Sequence, residues 1–219
     1  MKKIRNSGDE TNSPSRKLGR SQHGKQTTYF HSIKNNCTVV CETRLEADAC
    51  YLFEFDDKIS SYFAQPEPIH VTVNNKHKKY TPDFKLVFSS GYIRYIEIKP
   101  DNVFDKPDYM ALYRAVRDEA KRKGEGFKLI IESSIRRQPR HKNMNHIYFQ
   151  MRHTRPEELS YLMDQLSVIH LPTCIGLLFE ISPPPSMGAI AKAIFKKIIT
   201  FDVNEPLSLA SDLNLEKSQ

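Results

Sequence analysis

Long apolar runs are missing from this 219-residue sequence. None approaches the roughly 20 residues that a helix needs to cross a bilayer, so no membrane-spanning helix is expected. The basic N-terminus is not followed by an apolar stretch, and no secretory signal is expected either. Cysteine is scarce. Cys37, Cys41, Cys50 and Cys174 form no CxxC pair, which argues against a disulfide framework and for reduced thiols in a cytoplasmic setting. The histidines have no spacing that a zinc site requires, His141 and His146 included.

What is present in excess is positive charge, +7 overall, and it is unevenly spread. Residues 1–44 carry nine basic and three acidic side chains, and residues 101–152 carry twelve and seven. Between them, residues 45–100 hold seven basic and eight acidic groups. Two basic segments thus flank an acidic centre, the distribution expected if a phosphate backbone crosses it. Residues 153–219 are acidic on balance, with five basic and eight acidic side chains.

The chain divides by pattern into three parts. Residues 1–27, rich in Ser, Asn, Lys and Arg, read as a flexible basic arm. Residues 28–150 read as a mixed α/β domain. Within it, Thr43 to Phe55 has apolar residues at helical spacing, and Thr43-x-x-Glu46 has the form of a capping box. Ile69 to Val73 alternates as a strand before Asn74-Asn75, and Phe84–Phe88 and Tyr92–Lys99 continue an antiparallel meander. Pro107 to Lys123 predicts a helix stopped by Gly124, with an apolar stripe over Tyr109, Leu112, Tyr113, Val116 and Ala120. Phe127 to Ile131 predicts a strand buried on both faces. Arg136, Arg137, Arg140 and Lys142 lie in a basic stretch, expected to be a connector able to follow a nucleic-acid backbone. Residues 151–219 predict helices, one opened by Thr154-x-x-Glu157 and one over Ser186–Ile199. A small hairpin across Asn204-Glu205-Pro206 follows, the order of a winged-helix module. Its acidic balance points to a protein contact.

The chemistry is concentrated between Thr81 and Pro100. Strand side chains alternate, so Glu97 and Lys99 share a face while Ile96 and Ile98 take the other. A hairpin would bring Asp83 to the same edge. Two carboxylates and a lysine can serve a divalent metal acting on phosphate, because Mg²⁺ held by one or two carboxylates keeps waters and binds substrate oxygens. Asp83 and Glu97 are the candidate ligands, the Ile98 carbonyl adds a backbone oxygen, and Lys99 can orient water or stabilise developing charge. An exposed cross-strand ion pair would leave the same trace in the sequence. Glu46, on the border of its helix's apolar face, fits a catalytic acid and a helix cap equally well, with Glu42 and Asp48 as alternative carriers of the acid role.

Pro82-Asp83 followed by Glu97-Ile98-Lys99 resembles the PD-(D/E)xK nuclease motif. Thr43-Arg44-Leu45-Glu46, Tyr51-Leu52-Phe53-Glu54-Phe55-Asp56 and Gln65-Pro66 extend the likeness to the TnsA family, over roughly Thr38 to Ser134. TnsA is the endonuclease subunit of heteromeric bacterial transposases. The resemblance implies a restriction-endonuclease-like mixed-sheet core and a C-terminal, mainly helical, winged-helix-like domain. It implies Glu46, Asp83, Glu97 and Lys99 as catalytic residues, with Mg²⁺, or Mn²⁺ in its place, at Asp83, Glu97, Ile98 and Glu46. It further implies cleavage of the 5′ (non-transferred) strand of double-stranded DNA at transposon ends. The implied partners are a DDE transposase of TnsB type and an AAA+ ATPase regulator of TnsC type. The alternatives are another nuclease of the same fold, such as a restriction enzyme or junction resolvase, or a non-catalytic DNA- or protein-binding subunit.

Overall fold

The computed structural model describes residues 27–105, 107–169 and 172–215. The arm expected over residues 1–27 lies almost wholly outside them. The chain separates into two compact units, Met1–Ile135 and Arg136–Gln219. The division falls before the basic stretch and not at residue 150, because that stretch is a helix of the second unit. No described helix is long and apolar enough to cross a membrane.

The first unit opens with an antiparallel hairpin of β1 (Thr28–Ser32) and β2 (Cys37–Cys41), followed by α1 (Arg44–Phe55). The β3 strand (Ile59–Ala64) comes next, then a second hairpin of β4 (Ile69–Val73) and β5 (Lys76–Tyr80). Asn74 and Asn75 turn this hairpin with φ of 50° and 58°, the left-handed pair that a two-residue turn demands. After it run β6 (Phe84–Phe88), β7 (Ile93–Lys99), a 3₁₀ turn (Asp101–Asp105), α2 (Pro107–Arg122), β8 (Gly126–Ile131) and the short α3 (Glu132–Ile135).

The main sheet has the order β3-β6-β7-β8, antiparallel at the first two junctions and parallel at the last. Only a crossover can join parallel neighbours, and α2 supplies it. Its end follows from sequence: Gly124 at φ 75° lets the Gly124 and Glu125 amides close back on the Lys121 and Ala120 carbonyls, at 3.0 and 2.9 Å. The β7 strand is central, paired along both edges, and Ile96 and Ile98 are buried as their alternation requires. Phe53 of α1 meets Phe84 and Tyr62 edge-on, with ring centroids 5.1 and 5.3 Å away, which clamps α1 to the sheet where β6 begins. Val116 of α2 packs among Ile69, Val71 and Val73. Tyr113, Val116 and Ala120 are buried as the apolar stripe predicts, whereas Tyr109 is exposed.

The second unit contains α4 (Arg140–Met151), α5 (Pro156–Leu166), β9 (Thr173–Cys174), α6 (Ile175–Leu178), α7 (Met187–Phe195), β10 (Ile199–Thr200) and β11 (Asp212–Leu215). Its three short strands form an antiparallel sheet in the order β10-β11-β9. Ser186 caps α7, its hydroxyl accepting from the Ala189 amide at 3.1 Å. Two local expectations change. The capping box at Thr154 and Glu157 does not form; α5 starts one residue later, with Pro156 in its first turn. The expected hairpin over 201–209 is a loop, and β10 and β11 lie outside it. The buried Asn143 amide donates to the Val203 and Glu205 carbonyls at 2.8 and 2.7 Å and accepts from the Leu207 amide. Those contacts take the groups a hairpin ladder would use, and Pro206 has no amide to offer one.

Candidate functional site

The β6–β7 pairing places Phe84 opposite Ile96, so Asp83 stands beside the end of β7 that carries Glu97 and Lys99. Asp83 is fixed twice. Its carbonyl accepts from the Gln65 amide at 2.9 Å, and its Oδ2 accepts from the Ile98 amide at 2.7 Å. Glu97 and Lys99 project to one face, as the alternation of β7 predicts. The Lys99 Nζ donates to Glu97 Oε1 and to the Ile98 carbonyl at 3.2 Å, and lies 3.7 Å from Asp83 Oδ2. One ammonium therefore sits among the oxygens of Asp83, Glu97 and Ile98.

The electrostatics follow from that crowding. Burial, reinforced by the neighbouring Glu97 charge, pushes the Asp83 carboxyl up to about 8, against the pull of Lys99 and the Ile98 amide. Burial alone would depress the Lys99 ammonium, but Asp83 and Glu97 outweigh it and hold its pKa above the usual lysine range. Lys99 is a fixed cation here, not a latent base. With the Lys99 side chain only 29% exposed and that of Glu97 5%, the pair is no freely solvated surface bridge. Glu97 Oε2 is buried and has no hydrogen bond of good geometry, with the Tyr80 hydroxyl within side-chain reach of the carboxylate.

Glu46 occupies a different position. Thr43 caps α1, its hydroxyl accepting from the Glu46 amide at 3.1 Å. In return Glu46 Oε1 accepts from that hydroxyl at 3.0 Å and Oε2 accepts from the Glu42 amide at 2.8 Å. Burial raises the Glu46 pKa, these two donors oppose it, and Lys99 contributes weakly. Glu46 thus feels the Lys99 cluster while both its oxygens are engaged in the cap. Among the described residues no three His, Cys, Asp or Glu side chains are arranged to hold a metal ion. The structure joins Asp83, Glu97 and Lys99 and does not add Glu46 as a third ligand. Of the alternative acids, Asp48 pairs with Arg44 at 3.3 Å.

The donors that remain are two carboxylates and the Ile98 carbonyl. This hard oxygen set suits Mg²⁺, which needs few protein ligands and retains water. The unpaired Glu97 Oε2 is the observation in favour of that fit.

Two residues near this cluster carried no functional reading in the sequence. Tyr80 ends β5, three residues before Asp83, and its pKa is raised by burial and then by Glu97. Tyr113 of α2 was expected only as core. Burial pushes its hydroxyl up to about 12, with Lys99, Glu97 and Asp83 all within electrostatic reach. The Tyr80-Thr81-Pro82-Asp83 adjacency was a usable signal for the first; nothing local marks the second.

Arg136, Arg137, Arg140 and Lys142 belong to the second unit, Arg140 and Lys142 in the first turn of α4, whose Met144, Ile147, Tyr148 and Met151 are buried. Arg137 and Lys142 are exposed, and Arg136 and Arg140 are half-buried. Lys142 and His146 help line a cavity of about 860 Å³ with Phe149, Ile175, Leu207 and Leu209. The stretch is a packed helix and not an extended connector, because its apolar residues recur at helical spacing beneath the charges.

No protein-family model matches this chain, and no curated protein matches its sequence.

Proposed function

We propose that the chain is a Mg²⁺-dependent DNA endonuclease with a restriction-endonuclease-like core, acting in the cytoplasm as the subunit of a heteromeric bacterial transposase that cleaves the 5′ (non-transferred) strand. The supporting observation is the meeting of Asp83, Glu97 and Lys99 at adjoining strand ends, with the Ile98 amide tying one carboxylate to the other's strand. In this reading Asp83, Glu97 and the Ile98 carbonyl hold the cation, which when bound supplies charge neutralisation and an acidified water. Asp83 is the positioned ligand, its side chain and carbonyl both pinned by main-chain amides. Lys99, held cationic, donates to water or to an anionic phosphate oxygen and does not abstract a proton. Glu46 keeps the α1 N-terminus rigid beside the site and contributes negative charge, a role that rests on the family resemblance as much as on its cap.

The reading places a DDE transposase of TnsB type and an AAA+ regulator of TnsC type as partners. It assigns the second unit, with its helices and small sheet, a winged-helix-like role in meeting them. Arg136, Arg137, Arg140 and Lys142 are its proposed DNA-backbone contacts.

The test is strand cleavage of double-stranded DNA carrying transposon ends, with the full chain, Mg²⁺ and a DDE transposase of TnsB type. Cleavage of the 5′ strand is expected, with losses of about 10²–10³-fold in Asp83→Ala and Lys99→Ala, the scale on which removal of one positioned stabilising group acts. Cleavage surviving both substitutions overturns the assignment. Efficient cutting of a fixed short sequence without any partner would instead support a restriction-type enzyme.

A further inference from the structure

Three buried polar atoms beside the Lys99 cluster have no hydrogen bond of good geometry: Glu97 Oε2, Tyr80 Oη and Tyr113 Oη. Buried hydroxyls and carboxylates are almost always paired, so three such atoms in one place call for an explanation. They are neighbours. The Tyr80 hydroxyl lies within side-chain hydrogen-bonding reach of Glu97, and the Tyr113 hydroxyl within that of Tyr80, while Tyr113 also feels the charges of Lys99, Glu97 and Asp83. The two tyrosine rings lie edge-on with centroids 6.1 Å apart. Both pack against Phe127, at 6.5 and 6.0 Å, and that residue sits next to Tyr95 across the β7–β8 pairing. The rings are therefore anchored in apolar surroundings, on the face of β7 that carries Tyr95, Glu97 and Lys99.

Each residue reaches the cluster by a different route. The β4–β5 hairpin carries Tyr80 on its last residue, and α2 carries Tyr113 on its buried stripe. Packing alone would be served as well by phenylalanine, without the penalty of a buried unpaired hydroxyl. An ordinary phenol is protonated at neutral pH, so both hydroxyls are donors. Glu97 Oε1 is already engaged by Lys99. Its Oε2 is the acceptor left for a phenol.

We infer that Tyr80 and Tyr113 are positioning residues for Glu97, a phenol donor pair that fixes the carboxylate's second oxygen when the first turns from Lys99 to a divalent cation. They touch neither substrate nor the reacting atoms; they act through Glu97. The inference rests on the proposed metal-dependent reading of the site. Outer-shell partners of this kind orient a ligating carboxylate and raise its affinity for the metal.

The experiment is calorimetric titration of the full chain with Mn²⁺, alongside denaturant unfolding in metal-free buffer, for the unaltered protein and for Asp83→Ala, Tyr80→Phe, Tyr113→Phe and the double tyrosine variant. The double variant is expected to bind Mn²⁺ about 10–100-fold more weakly, while its metal-free stability is unchanged or higher. A merely structural role moves the unfolding curve and leaves Mn²⁺ affinity alone, which overturns the inference. In a Glu97→Gln background the tyrosine substitutions should have no further effect on Mn²⁺ affinity; a full additional loss also overturns it. If the unaltered chain binds no Mn²⁺, the metal-dependent reading and this inference fail together. If binding is lost in Asp83→Ala but untouched in the tyrosine variants, only the inference fails.

Discussion

Glu54 and Glu97 are both carboxylates buried to within a few per cent in the first unit, and their surroundings differ in kind. Glu54 Oε1 accepts from the Ser32 and Tyr62 hydroxyls at 2.5 and 2.7 Å, and Oε2 accepts from the Lys34 amide at 3.1 Å. Its charge is dispersed over fixed neutral donors drawn from β1, β3 and the turn after β1. It serves as a rivet between hairpin, helix and sheet. Glu97 has instead one oxygen on the Lys99 ammonium and one without a hydrogen bond of good geometry, with a second carboxylate across from it. Burial of charge is tolerable in the first case because every oxygen is satisfied. In the second it is tolerated only through Lys99, an arrangement that a cation can replace.

Four substitutions or conditions would break or sharpen this contrast. The largest effect is expected from Glu54→Ala, which strands two hydroxyls and an amide in the interior. A loss of about 3–5 kcal/mol in denaturant unfolding is expected, at about 1–3 kcal/mol for each orphaned group with partial relaxation. A loss below about 1 kcal/mol would deny Glu54 its structural role.

Next is Lys99→Met, which leaves Asp83 and Glu97 facing each other uncompensated. The metal-free protein should lose about 1–3 kcal/mol, less than for a fully buried pair because Lys99 is partly exposed. Mg²⁺ should restore more stability to this variant than it adds to the unaltered protein. Equal Mg²⁺ responses would count against a seat shared between ammonium and cation.

The third is the pH dependence without divalent cation. The folded Asp83 carboxyl, raised to about 8, binds its proton more tightly than the unfolded one near 3.8. Stability should therefore fall as pH rises from about 4 to about 8 and level off beyond, and Asp83→Asn should remove that slope. Lys99 acts in the opposite range: its raised pKa contributes stability that is complete below about 10.5 and lost as pH climbs through the folded value. A slope that persists in Asp83→Asn would place the titrating group elsewhere.

The smallest effect belongs to Thr43→Ala. It removes the α1 cap and one of the two donors holding Glu46, at about 1 kcal/mol. If Glu46 also serves the site, this variant should lower the rate of cleavage by more than its stability loss explains.

Much of the first unit was legible from local pattern. The alternation of β7, the Asn74-Asn75 turn, the Thr43 cap and the Gly124 stop are each set by residues within one turn or one strand of each other. The β3 strand was not legible. Ile59-Ser60-Ser61-Tyr62-Phe63-Ala64 mixes polar and apolar residues without clean alternation, and its pairing with β6 has a register shift between Ile59 and Ser61. The hairpin expected at residues 201–209 failed for a related reason. Asn143, some 60 residues away in sequence, holds that loop, and no local pattern records such a partner.

The sequence by itself determined which residues share a face, because alternation and helical spacing are properties of a few consecutive backbone units. It also determined where the chain turns, through Asn74, Asn75 and Gly124, since those conformations are paid for residue by residue. Only the tertiary structure decided what each buried carboxylate does. Whether an oxygen is satisfied depends on donors that folding delivers from distant segments: Ser32 and Tyr62 to Glu54, Thr43 and the Glu42 amide to Glu46, Lys99 to Glu97. Glu46, Glu54, Asp83 and Glu97 are four acids of one domain, and it is the donors around them that separate cap and rivet from the paired carboxylates beside Lys99.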